Sequence, residues 1–223
     1  MKILRVLAIV SFLAGLSLLV AGFVANQDDS DSRADAAPPE FTSTPTPTPG
    51  DVETPTPTPT PPPYDGGVTR FIIPKLNVDS LVETIGLLPD NRLDTPHNPH
   101  NTGWYDIEGY GKPGFGGNSV FSAHVDYWPD IRGPFHDIRN LVPGDEVIVQ
   151  MDNGLQYHYR VISYHRYDVN NIPMGDLIWP KERPENVEWI TMITCGGRFV
   201  QTQDSGAGEY LDRDVVVAER FEP

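Results

Sequence analysis

Glu146-Val-Ile-Val-Gln-Met151, Asp152-Asn-Gly154 and Leu155-Gln-Tyr-His-Tyr-Arg-Val-Ile162 read together as one β-hairpin. Val147, Val149 and Met151 fall on alternate positions, as a strand with one face in a core requires. Asp152, Asn153 and Gly154 supply the turn with residues that tolerate positive φ. From Thr69 onward, short apolar or alternating runs are broken by Gly, Pro, Asn and Asp, and no stretch sustains helical periodicity for long. Residues 69–73, 80–85, 118–124, 187–194 and 214–220 are the other expected strands, spaced as in a barrel or sandwich. Residues 131–141 are expected to hold a short helix. The fold class is mainly β.

Two stretches of different composition precede this domain. Lys2 and Arg5 stand before an uncharged, strongly apolar run at residues 6–25. Twenty residues rising 1.5 Å each span about 30 Å, the thickness of a bilayer core. A cleaved signal peptide has a shorter apolar region, usually about 7 to 15 residues, so residues 1–26 are expected to be an uncleaved membrane anchor. Basic residues before the span and Asp28, Asp29 and Asp31 after it leave the N-terminus cytoplasmic and the rest outside. Residues 27–65 are acidic, then dominated by Thr-Pro repeats ending in Pro61, Pro62 and Pro63. Such a composition favours extended polyproline conformations over a core, giving a disordered, semi-rigid stalk. Residues 66–223, about 160 in number, suffice for one catalytic domain. The expected location is the cell membrane, crossed once, with that domain on the extracytoplasmic side.

The net charge of −15 argues against nucleic acid as a partner, since a phosphate backbone demands a basic face and Lys and Arg cluster nowhere. Cys195 is the single cysteine and has no internal disulfide partner, so it is either a buried filler or a working thiol. It follows an apolar run at residues 188–194, and His124 follows another at 119–123. Strand ends can hold reactive side chains rigidly while leaving them accessible. A histidine raises the thiolate fraction of a cysteine and later hands a proton to a leaving amine. Arg213 precedes the apolar run 214–218 and offers a permanent cation to a developing oxyanion. No G-x-S-x-G elbow, H-E-x-x-H zinc motif or Walker loop is present.

Several ordered motifs resemble the sortase family. Thr191-Met-Ile-Thr-Cys195 is similar to its active-site signature. Phe71-Ile-Ile-Pro-Lys-Leu-Asn-Val-Asp79 resembles its opening strand, Asn118-Ser-Val-Phe-Ser-Ala-His-Val-Asp126 the strand carrying its histidine, and Asp212-Arg-Asp-Val-Val-Val-Ala218 the strand carrying its arginine. Gly103-Trp-Tyr105 and Leu141-Val-Pro-Gly-Asp-Glu-Val147 fall at matching places, so the resemblance covers residues 69–218. Ala123 and Val125 flank the histidine where many members have Gly and Arg, which leaves the subclass open. Residues 61–68 lack the Asp-Pro-aromatic lid motif of pilin-type members, so attachment to the cell wall is the better expectation.

The resemblance implies an eight-stranded β-barrel that cleaves an LPXTG-like C-terminal sorting signal and resolves a thioacyl enzyme with an amine. It implies Cys195 as nucleophile, His124 as acid and base, Arg213 as substrate and oxyanion ligand, and Thr194 as an aid in positioning the peptide. Asp126, two residues after the histidine, is a candidate to orient it or line the substrate pocket. Implied partners are exported proteins bearing the motif and an amine of the cell wall, a lipid precursor or a pilin. Arg198 is the reserve for Arg213, expected in a mobile loop at residues 197–211. No cofactor is expected: Asp106 and Glu108 could offer oxygen ligands to calcium, but acidic residues are abundant. His97 and His100 have metal-pair spacing, yet Pro96 and Pro99 deny them a helix and favour a solvated loop. The rivals are a cysteine peptidase that hydrolyses the same intermediate and a non-catalytic barrel that binds surface peptides.

Overall fold

The computed structural model describes residues 62–204 and 206–223. The expected anchor at residues 1–26, and the stalk up to residue 61, lie outside the described residues. No described helix is long and apolar enough to cross a membrane.

Among the described residues, ten strands and one short α-helix follow in order: β1 (Val68–Ile73), β2 (Val78–Ile85), β3 (Thr102–Tyr105), β4 (Asn118–Ala123), β5 (Asp126–Tyr127), β6 (Ile131–Arg132), β7 (Glu146–Met151), β8 (Gln156–Asp168), α1 (Met174–Ile178), β9 (Trp189–Gln201) and β10 (Gly208–Phe221). The hairpin is β7–β8, with Val147 opposite Tyr159 and Val149 opposite Tyr157. Gly154 takes φ 87° in its turn, and the Asn153 side-chain oxygen accepts the Leu155 amide at 2.9 Å. Eight strands close into a barrel in the order β1-β2-β3-β4-β9-β10-β8-β7, which leaves no free edge. The β2/β3 and β4/β9 pairs are parallel. β5 and β6 form a separate two-stranded ribbon.

The inward face packs Phe71, Phe121, Phe135, Met192 and Val216 into the main core. Phe71 meets Phe121 at 4.8 Å and Phe135 at 5.5 Å between ring centres. On the outer face Val120, Ile193 and Val215 are covered by Leu177 and Ile178 of α1. β4 is therefore buried at every position, with no polar alternation. Each such side chain contributes roughly 1.5–3 kcal/mol by leaving water.

At the barrel end beside Trp189, the buried Glu188 carboxylate accepts the amides of Gly114 and Gly116, the Tyr159 hydroxyl and Arg220. That junction locks the loop before β4 to the start of β9, at the end of the barrel away from Cys195.

Several boundaries differ from expectation: β8 runs on to Asp168 and β10 begins at Gly208. β9 continues through Cys195 to Gln201, because the ladder to β10 persists past Gly196 and Gly197, with a register shift between Tyr210 and Asp212. The expected loop at 197–211 therefore shrinks to 202–207, and Arg198 sits on a strand. Residues 131–141 hold β6 and, where a short helix was expected, a single 3-10 turn, Ile138–Asn140.

Candidate active site

Strand register brings the three expected residues together. Ser122 of β4 lies beside Ile193 of β9 in the parallel pair, so two residues further on His124 and Cys195 emerge at the same end of the barrel. Across the antiparallel β9/β10 pair, Cys195 is directly opposite Arg213, which puts both side chains on one face. His124 and Cys195 line one cleft of about 620 Å³ with Asp126, Tyr127, Trp128 and Tyr210. Its walls are the β5–β6 ribbon and the β9–β10 hairpin, and the Tyr210 hydroxyl donates to the Asp126 carboxylate across the gap. A second cleft, of about 560 Å³, lies between Tyr110 and Trp179 beside Asn118, at the opposite end of β4, and carries none of the three.

His124 is held at its ring from two directions and at its backbone from a third. Its Nε2 lies 2.9 Å from the Pro96 carbonyl oxygen. A carbonyl only accepts, so Nε2 carries the hydrogen and Nδ1 is left to exchange protons. Tyr127 meets the ring edge-on at 5.3 Å. Behind it, the Phe135 amide donates to the His124 carbonyl at 3.2 Å, and Gly133 approaches so closely that an added Cβ would lie 2.0 Å from that oxygen.

Cys195 is partly buried. Burial pushes its thiol up, the Arg213 guanidinium pulls it down, and the Asp126 carboxylate adds to the rise, for a net increase. The resting group is thus a thiol that needs a base. Arg213 is braced by its own strand, Nη1 donating to the carbonyls of Asp212 at 2.8 Å and Tyr210 at 3.1 Å. Burial, and then the bond to Asp126, pushes the Tyr210 hydroxyl up to about 12, so it stays a donor at neutral pH.

The opposite face of the same strands holds the frame. Thr194 is buried and its hydroxyl donates to the Ala123 carbonyl at 2.7 Å, which joins the residue before Cys195 to the residue before His124. Asp214, opposite Thr194, receives Arg166 through two bonds of 2.7 and 2.9 Å and the Tyr164 hydroxyl at 2.9 Å. The Asp214 carboxylate lies over Gly196, where a Cβ would meet it at 2.4 Å. Glycine at 196 leaves room for that carboxylate beside the thiol strand.

A family model described as the sortase domain matches residues 71–221. The chain belongs to the sortase family. Sortases are cysteine transpeptidases. Solved structures agree on the fold. A lid mutant of sortase A from Corynebacterium diphtheriae superposes with a TM-score of 0.51 at 18% identity, covering 70% of this chain and 70% of that one. Sortase C1 from Streptococcus agalactiae superposes with a TM-score of 0.50 at 20% identity, covering 71% and 69%. At such identities the likeness speaks for the barrel and leaves the subclass open. None of the curated proteins compared matches the chain.

In this sortase barrel, Cys195, His124 and Arg213 converge, Asp126 lines the cleft, and Thr194 lies behind it with its hydroxyl on β4. Arg198 is exposed on β9. Among the described residues no three His, Cys, Asp or Glu side chains gather as metal ligands, around Asp106 and Glu108 or elsewhere. Sequence reasoning passed over Tyr210, Trp128, Phe199 and the Pro96 carbonyl. Tyr210 carried a faint signal, an aromatic three residues before the arginine; a backbone carbonyl carries none.

Proposed function

We propose that this protein is a sortase-type transpeptidase that cleaves an LPXTG-like sorting signal on exported proteins and transfers the acyl group to an amine, anchoring them at the cell surface. The observation that carries this is that His124 and Cys195 line one cleft at the end of adjacent strands, with Arg213 directly opposite Cys195 on the next strand. His124 takes the thiol proton and the thiolate attacks the scissile carbonyl carbon. Arg213 holds the oxyanion that develops. The protonated imidazole then gives its proton to the leaving amine as the C–N bond breaks, leaving a thioester on Cys195. The acceptor amine loses a proton to His124, attacks the thioester and frees the thiol. Asp126 contributes a negative charge beside the thiol, where an ammonium acceptor docks before it is deprotonated. Thr194 keeps the two reactive strands in register while the peptide lies along them. The acceptor belongs to the cell wall, a lipid precursor or a pilin, and the apolar N-terminal segment crosses the membrane once and holds the catalytic domain on its extracytoplasmic side.

The test incubates the full chain, wild type and Cys195→Ala, with a set of sorting-motif peptides and a primary amine, with products resolved by mass spectrometry. Amide products that vanish in Cys195→Ala support transpeptidation and identify the motif. Free acid alone, undiverted by added amine, points to a peptidase. Arg213→Ala is expected to lower kcat by about 10²- to 10³-fold, the scale of losing one oxyanion donor.

A further inference from the structure

Residues 94–101, between β2 and β3, contribute no side chain to the chemistry, yet the Pro96 carbonyl is the partner of His124. What keeps that carbonyl in place lies further back. Glu83 on β2 receives four bonds from this segment: the amides of His97 and Asn98 at 2.9 Å each, the Asn101 side-chain amide at 2.8 Å, and the His97 ring at 3.3 Å. On the other side of Pro96, the Tyr105 hydroxyl donates to the Asp94 carbonyl at 2.6 Å and accepts from Ser122 of β4 at 2.9 Å. The proline ring itself packs over Gly103 of β3, where an added Cβ would lie 3.1 Å from its Cγ.

We infer that Glu83 is a positioning residue for catalysis: through residues 97–101 it holds the Pro96 carbonyl against Nε2 of His124, and so selects the tautomer whose Nδ1 exchanges protons in the cleft. Glu83 has this role for the reaction only if His124 is the acid and base proposed above, whereas the tautomer itself is a property of the folded chain. A carbonyl is suited to the task because it accepts from Nε2–H in both the neutral and the protonated ring. Nδ1 therefore gives a proton to the leaving amine and recovers one from the acceptor without the ring turning. Glu83 is well adapted to its place: burial pushes its carboxyl up, but the amides of Asn98 and His97 outweigh this and hold it below the usual carboxylate range. It stays a full acceptor at neutral pH.

The experiment uses the full chain with 15N-labelled histidine. The wild type is expected to show His124 with Nε2 protonated and Nδ1 bare when neutral; a bare Nε2 overturns the inference, whatever the enzyme does. In turnover of a sorting peptide, Glu83→Ala is expected to lower kcat by up to about 100-fold, the scale of a small misplacement of a reacting group, with KM for the peptide little changed. Glu83→Gln, which keeps one acceptor oxygen, is expected to fall between, and both variants to mix the His124 tautomers. Asp79→Asn, on the same strand but in an exposed ion pair with Arg70, serves as control and leaves both readouts as in the wild type. A folded Glu83→Ala chain with unchanged kcat and tautomer contradicts the role. Loss of all turnover in the wild type together with the expected tautomer strikes at the transpeptidase proposal instead.

Discussion

A thiol that faces a guanidinium and a carboxylate together is governed by their balance. Arg213 favours the Cys195 thiolate, while burial and Asp126 oppose it, and the opposition wins. The rate of alkylation against pH should therefore show a midpoint above that of an ordinary thiol. Asp126→Asn is expected to move the midpoint down and Arg213→Ala to move it up; equal midpoints in all three proteins would mean that neither charge faces the sulfur. These residues were legible in the sequence for unequal reasons. Cys195 and His124 are reactive types at the ends of apolar runs, and the ordered motifs around them made the pairing specific. Tyr210, which closes the cleft on Asp126, lies where only a register shift in β10 aims it. The Pro96 carbonyl has no side chain by which to be recognised.

At the scale of elements, the site depends on close backbone approaches. Gly133 lies against the carbonyl of His124, and that neighbour is backbone, which cannot swing aside. Gly133→Ala is expected to displace the histidine and lower kcat by up to about 100-fold in steady-state turnover; activity equal to the wild type would show that the ribbon after β4 gives way freely. The frame behind the thiol has a comparable weak point. Arg166→Met leaves the buried Asp214 carboxylate with only Tyr164, and a loss of roughly 3 kcal/mol is expected in thermal unfolding. Period-two alternation located β7 and β8, and apolar runs located β4 and the first half of β9. It failed where alternation is absent. β3 has four residues, all buried, and α1 only five, too short to display a helical period. The continuation of β9 past two glycines is decided by its partner strand, which no local pattern records.

Across the whole molecule, closure of the barrel and the carboxylates that tie loops to it set the response to acid. Glu83 is lowered by amide donors against the pull of burial, Asp145 by Lys75 and the Val142 amide against the same pull, and Asp152 first by the Gly67 amide. A carboxyl lowered by folding adds stability that is fully present above its unfolded value and is lost as the pH falls through its folded one. The melting temperature should thus be nearly flat between about pH 7 and pH 5 and fall below about pH 4. Glu83→Gln should reduce that fall; a steeper acid loss in the variant would reverse the sign assigned to this group. The closed eight-stranded barrel was anticipated through the order of motifs along the chain, whereas its strand lengths and the ribbon over the cleft arise from contacts between distant segments. The proposed transpeptidation requires Cys195 to hold an acyl group. The most direct observation is the intact mass of the full chain after brief exposure to a sorting-motif peptide without acceptor. A thioester adduct mapped to Cys195, discharged to an amide on adding a primary amine and absent from Cys195→Ala, is the predicted result; an unmodified Cys195 across peptides of varied sequence would contradict it.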